Sequence, residues 1–258
     1  MIGRRRNKKT RTPGLARHCV HRGYQNKPEI PENSMAAFRR AVEHGFPSEL
    51  DVHLIADGSL VVFHDESLER QTGVRGQIED YDITNLRKLR LEGTDEPIPT
   101  LDEVLELYEP SGLPLLIELK TARGNHFRLT EAVCRRLDSY SGEFVIESFD
   151  PRVLIDLRKL RPDIIRGQLV QDFMVHREDL PLYQALMLTD LVLAAAGRPD
   201  FIAYRMNDKK RLTWKFAAGP AGLAQAVWTV RTPEKYRKAI ASGCVPIFER
   251  FDPDEKEE

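Results

Sequence analysis

Two short stretches concentrate charge in a pattern that chemistry could use. In "ELDVHL" (49–54), strand alternation puts Glu49, Asp51 and His53 on one face and Leu50, Val52 and Leu54 on the other. "LLIELK" (115–120) repeats the device, with Glu118 and Lys120 sharing a face. Isolated charges inside a closed sheet are costly, so these carboxylates need cations beside them. Two arrangements answer that need. Glu49, Asp51 and Glu118 form an all-oxygen set, which suits Mg²⁺ or Ca²⁺ better than zinc. Alternatively, they pair with lysine and arginine at a barrel rim.

The stretch "HRGYQNKPEIPENSMAAF" (21–38) has no hydrophobic period until Met35. Ser34 reads as a helix N-cap, because Met35, Phe38 and Val42 then recur at helical spacing. His21, Arg22 and Glu32 therefore fall in the joint between a strand and a helix, where α/β proteins usually place their chemistry. His64 closes the apolar run "SLVVFHD" and meets Asp65. One histidine at a strand end is more often structural than catalytic. Two of them, each beside a charged neighbour, point to an acid–base pair. His18, His44, His53, His126 and His176 have no such setting and read as structural or exposed.

These residues need a scaffold. Strands are expected at 18–22, 49–54, 115–120, 144–148, 164–170, 201–204, 226–230 and 245–249, with an extra strand at 60–64 after the turn Ala56-Asp57-Gly58. Helical periods lie between most of them, at 101–108, 128–137, 151–160 and 233–242. Eight strands alternating with helices over this length fit an α/β fold of the closed (β/α)8 barrel type, residues 15–251, better than an open sheet. Residues 65–100 form an insertion after the second strand. The segment "YQALMLTDLVLAAAG" (183–197) is helical or buried.

Composition limits the classes. A 41% hydrophobic content and a formal net charge of −1 describe a globular chain with no overall bias toward nucleic acid. Arg4, Arg5, Arg6, Lys8, Lys9 and Arg11 make a basic run in a disordered tail (1–14), whose sharper use is a weak peripheral contact with anionic lipid. Residues 252–258 form an acidic tail. No apolar run follows the basic one, so it does not read as a signal peptide. Cys19, Cys134 and Cys244 are scattered, which favours reduced thiols and a cytoplasmic location over a disulfide framework.

Taken together, "HRG…PENS..AF", "ELDV", "DGSLVVFHDESLERQTGVRG", "IPTLDEVL" and "IELK" resemble the glycerophosphodiester phosphodiesterase family, in order and in register over residues 18–122. Fainter echoes follow in "ESFD" (147–150) and "VWTVRTPEKYRKAIASG" (227–243). The resemblance implies a (β/α)8 barrel in which Glu49, Asp51 and Glu118 hold a divalent cation. It implies His21 and His64 as general acid and base, Arg22 and Lys120 on the phosphate of a small glycerophosphodiester, and Glu32 near the metal. Three carboxylates against one divalent cation, Arg22 and Lys120 leave a single surplus positive charge, which a phosphodiester monoanion would neutralise.

The last strand departs from the family. Where the family commonly reads Gly-Ile-Ile-Thr-Asp-Arg-Pro, this chain has "VPIFERFDP", with Phe248 and Glu249 in place of Thr-Asp. The substitution is expected to affect substrate choice and not the residues assigned to chemistry. Glu249 could attract a cationic headgroup, while Phe248 and Phe251 either meet the substrate or pack under the final loop. Two other readings stay open. One is lysophospholipase D-type activity at a membrane, using the basic tail and "KFAAGPAGLA" (215–224). The other is a catalytically silent phosphoester-binding protein.

Overall fold

The structure, a computed structural model, describes residues 17–171, 194–206 and 222–253. The basic run, most of "YQALMLTDLVLAAAG", most of "KFAAGPAGLA" and the end of the acidic tail lie outside the described residues. Eight parallel strands close into a ring: β1 (Cys19–Val20), β2 (Ser48–Leu54), β4 (Leu115–Leu119), β5 (Phe144–Ser148), β6 (Arg166–Val170), β7 (Phe201–Arg205), β8 (Ala224–Val230) and β9 (Val245–Phe248). Closure is made by β1, where Val20 pairs with Phe248 of β9 on one side and Ser48 of β2 on the other. β3 (Leu60–Val62) lies outside the ring, antiparallel to β2. The fold is a (β/α)8 barrel with an insertion after its second strand.

Alternation decides what each strand gives to which side. Leu50, Val52 and Leu54 of β2 face the helical layer with Leu115, Ile117 and Leu119 of β4, packing on Val104, Leu105, Leu129 and Val133. The other phase fills the barrel: Cys19, Leu116, Val145, Leu169, Phe201 and Ile247 form an apolar plug toward the N-terminal ends of the strands. Phe201 fits because β6 carries Gly167 beside it, where a Cβ would stand 2.1 Å from the Phe201 ring. Polar residues of the same phase lie above this plug, at the C-terminal ends.

The outer helices start where side-chain chemistry dictates. Ser34 caps α1 (Met35–Glu43) by accepting from the Ala37 amide. Thr100 and Glu103 make a reciprocal capping box for α2 (Leu101–Tyr108). After them in the chain come α3 (His126–Leu137), which packs on β2 and on its successor α4 (Pro151–Leu160), and finally α5 (Pro233–Ala241). These last two pair an Asp150 or Thr232 cap with proline at the first helical position. Residues 65–100 pack on their own cluster of Ile55, Val61, Phe63, Leu68, Ile78 and Leu86. That insertion brings Arg70 and Glu79 to the barrel mouth.

The first strand is shorter than expected, because the chain leaves the ladder at His21. Arg22 has φ 57° and Gly23 φ 75°. The Arg22 turn is fixed by its amide donating to Glu49 Oε2 at 2.9 Å and its carbonyl accepting from the Asn33 amide at 2.9 Å. Gly23 permits both the turn and the close approach of α1: a Cβ there would lie 2.8 Å from Ala37 Cβ and 3.0 Å from the Ala37 carbonyl carbon. Gly23→Ala should therefore destabilise the fold by about 1–3 kcal/mol. Thermal and denaturant unfolding would check this, and an unchanged midpoint would remove the packing argument.

Candidate active site

A cavity of about 900 Å³ opens at the C-terminal ends of the strands. Parallel register sets Asp51, Glu118 and Glu147 side by side on β2, β4 and β5. Glu49, Asp51 and Glu118 are buried, and one oxygen from each lies within 4.8 Å of the others. Asp51 Oδ2 accepts from Asn33 Nδ2 at 2.9 Å and sits 3.3 Å from Arg22 Nε. Its buried Oδ1 accepts no hydrogen bond, with Lys120 Nζ 3.5 Å away. Lys120 also donates to Glu118 Oε1 at 2.9 Å. Three clustered carboxylates with an uncommitted oxygen fit a divalent cation.

Electrostatics separates these acids. Burial, then the Asp51 charge, pushes Glu49 well above the usual carboxylate range. Burial lifts Glu118 to about 7 against the pull of Lys120, with Asp51 adding to the rise. Asp51 goes the other way: burial opposes its ionisation, but His64, Lys120 and Arg22 hold it well below normal. Glu147, buried beside Glu118 and Asp51, is pushed well above normal, and its Oε2 has no hydrogen-bond partner. The sequence reading missed Glu147. The signal was present, since Val145 points into the barrel and alternation sends Glu147 the same way.

The two histidines are built alike. His64 Nδ1 lies 2.5 Å from Asp65 Oδ1, and Arg70 Nε lies 2.5 Å from Asp65 Oδ2. His21 Nδ1 lies 2.7 Å from Glu249 Oε2, and Arg231 Nε lies 2.7 Å from Glu249 Oε1. In each case Nδ1 is engaged by a carboxylate that an arginine holds. Burial lowers the pKa of His64 to about 4, with Lys120 and Arg22 adding to the fall and Asp51 and Asp65 opposing it. Burial and Arg22 likewise lower His21, against the pull of Glu249 and Asp51. His53 is fully buried; its Nδ1 bonds Glu79 Oε1 at 2.6 Å and its Nε2 lies 3.4 Å from the His64 carbonyl.

Glu32 gathers cations. Arg22 Nη1, Arg70 Nη2 and Lys27 Nζ lie 2.9, 2.6 and 2.6 Å from its oxygens. Although burial opposes it, Arg22, Arg70 and Lys27 hold Glu32 down to about 2. The "Pro-Glu-Asn" turn thus delivers two side chains: Glu32 sets Arg22 in place, and Asn33 grips Asp51. All eight residues singled out from the sequence, His21, Arg22, Glu32, Glu49, Asp51, His64, Glu118 and Lys120, come together around this cavity or directly behind its rim.

The departure in the last strand has a different meaning from the one its position suggested. Glu249 is only 4% exposed and both its oxygens are occupied, so it is no headgroup receptor. It touches His21 directly, inside the set of residues assigned to chemistry. Phe248 faces outward and packs against Phe46, Tyr236 and Phe251. The charge balance drawn from five groups left others out: Glu32, Glu147 and Glu249 enter the same cavity together with Lys27, Arg70 and Arg231, and these formal charges cancel one another.

Barrel and site together define a (β/α)8 protein with a carboxylate cluster and two carboxylate-backed histidines at the mouth. The chain belongs to the glycerophosphoryl diester phosphodiesterase family, whose model matches residues 21–250. It is 35% identical over 161 residues to a glycerophosphodiester phosphodiesterase of Caldanaerobacter subterraneus, a match covering 59% of this chain and 65% of that one, just under two thirds of the relative's length. Among solved structures, a glycerophosphodiester phosphodiesterase from Thermotoga maritima superposes with a TM-score of 0.68 at 27% identity, covering 91% of this chain and 94% of the other. An Oleispira antarctica phosphodiesterase, solved with its product sn-glycerol-3-phosphate, gives a TM-score of 0.75 at 24% identity, with 91% and 93% covered. Among the described residues no helix is long and apolar enough to cross a membrane.

Proposed function

We propose that this protein hydrolyses glycerophosphodiesters to sn-glycerol 3-phosphate and an alcohol. The observation that carries the reading is the pairing of His21 and His64, each with Nδ1 committed to a carboxylate, around the Glu49–Asp51–Glu118 cluster. Those three carboxylates would hold Mg²⁺ or Ca²⁺, both of which accept all-oxygen ligation. Bound there, the ion supplies Lewis-acid stabilisation of charge on a phosphoryl oxygen.

The chain's own residues do the rest. Arg22 and Lys120 hold the phosphate, with Arg22 aimed by Glu32 and by its bonds to the loop. One imidazole takes a proton from the attacking hydroxyl, and the other gives one to the departing alcohol. With Nδ1 turned away on both rings, Nε2 is the nitrogen that faces substrate. The attacking hydroxyl belongs to water or to the neighbouring glycerol carbon, and the same residues serve either route. Three buried, free cysteines suit a reducing compartment, so we place the reaction in the cytoplasm.

The test is a panel of glycerophosphodiesters and micellar lysolipids, assayed with Mg²⁺, with Ca²⁺ and with chelator. Release of sn-glycerol 3-phosphate from soluble diesters supports the proposal. Turnover of lysolipid alone would move the substrate to a membrane surface, and binding without turnover would make the protein a silent receptor. Either result would overturn it.

A further inference from the structure

We propose that Glu249, anchored by Arg231, is the positioning residue of His21: it accepts the Nδ1 proton, fixes the imidazole in the Nδ1–H tautomer and keeps Nε2 bare toward the cavity. The kinetic part of this inference rests on the proposed diesterase reaction; the tautomer itself does not.

The geometry begins in the sheet. Val245 and Ile247 point into the barrel, so alternation sends Glu249 inward just past the end of β9. Across the closing seam, the His21 amide donates to the Phe248 carbonyl at 2.8 Å. The Glu249 amide donates to the Val230 carbonyl at 3.0 Å, immediately before Arg231. Three neighbouring strands therefore fix the backbones of histidine, carboxylate and arginine. Both carboxylate oxygens are then divided between partners. Oε2 takes His21 Nδ1 at 2.7 Å and Gln25 Nε2 at 3.3 Å; Oε1 takes Arg231 Nε at 2.7 Å, with Arg250 Nε at 3.4 Å. A carboxylate held at both oxygens has no freedom to release the imidazole.

A second, independent observation is the repetition of the design. His64 has the same Nδ1–carboxylate–arginine chain through Asp65 and Arg70, built from a sequence neighbour and the insertion. For His21 the carboxylate comes from the far end of the chain. Two unrelated local routes converge on one arrangement, as expected if the free nitrogen of each ring has work to do. Glu249 is also suited to accept: despite burial, His21 and Arg231 hold it down to about 2, so it is ionised at neutral pH.

The direct test uses the unmodified protein. Long-range ¹H–¹⁵N spectra should show His21 with a protonated Nδ1 and an unprotonated Nε2 at neutral pH; the opposite tautomer would overturn the proposal. Glu249→Gln, which keeps shape and removes charge, should lower kcat by about 10–100-fold with KM nearly unchanged. Its acid limb of kcat/KM should move to lower pH. The sign follows from the groups facing His21: losing the Glu249 charge removes a group that favours imidazolium and leaves burial and Arg22, which disfavour it, opposed by Asp51. Arg231→Gln should cost less, about 10-fold at most, because the His21–Glu249 bond survives. A folded Glu249→Gln protein with wild-type kcat, or one altered only in KM, would show that Glu249 merely packs. If no diester is turned over at all, the kinetic arms fall with the proposed function, and the tautomer measurement still decides the positioning role.

Discussion

Replacing His21 or His64 by alanine should each lower kcat by about 10²–10⁴, the usual worth of a placed acid or base. The expectation rests on construction and not on residue type. His18, His44 and His126 are also described and also have acidic or hydroxyl neighbours, at 2.5 Å from Tyr236, 3.6 Å from Asp252 and 2.5 Å from Asp156. None of them lines the cavity beside the carboxylates. The double variant should lose far less than the product of the single losses, because removing either proton carrier already disables the exchange between them. Single and double variants measured under single-turnover conditions would test this. Wild-type kcat in either single variant would return that histidine to a structural role.

Chelation should abolish turnover, and Mg²⁺ or Ca²⁺ should restore it. Asp51→Asn should cut the rate by more than about 100-fold, beyond the usual cost of an outer-shell change around a metal. Asp51 is the strategic member of the cluster, since Asn33, Arg22 and Lys120 all converge on it. Asparagine matches its volume and removes its charge, so weak binding would be chemical and not steric in origin. A thermal-shift titration separates binding from catalysis: the wild-type midpoint should rise with added Mg²⁺ or Ca²⁺, and the variant's should hardly move. Full activity in chelator would sink the assignment of Glu49, Asp51 and Glu118.

Much of this architecture could be read from local patterns. Alternation in "ELDVHL" and "LLIELK" placed the three carboxylates, and the cap at Ser34 marked a helix start. Pro151 through Leu160 came out as a helix with both ends as read. What escaped was information held between distant segments. Glu249 meets His21 only because β9 closes the ring on β1, a pairing that no window of sequence displays. Asn33 was not singled out, because only the folded turn sets it against Asp51. Alternation along β5 could point Glu147 inward, but only the register with Glu118 on β4 puts it in the carboxylate cluster. His53 belongs with these, since only the insertion supplies Glu79 and reveals what the ring supports.

The plug of Phe201 over Gly167 has a consequence for traffic. Among the described residues the plug stops one end of the barrel, so on the proposed reading substrate, water and both products share the opening at the other end. On the proposed reading the phosphate sits deepest, gripped by Arg22 and Lys120, and the alcohol lies nearest the opening. Departure is then a queue: the alcohol goes first, and the phosphate product cannot pass it. The deep product is the one that meets the next substrate at the door.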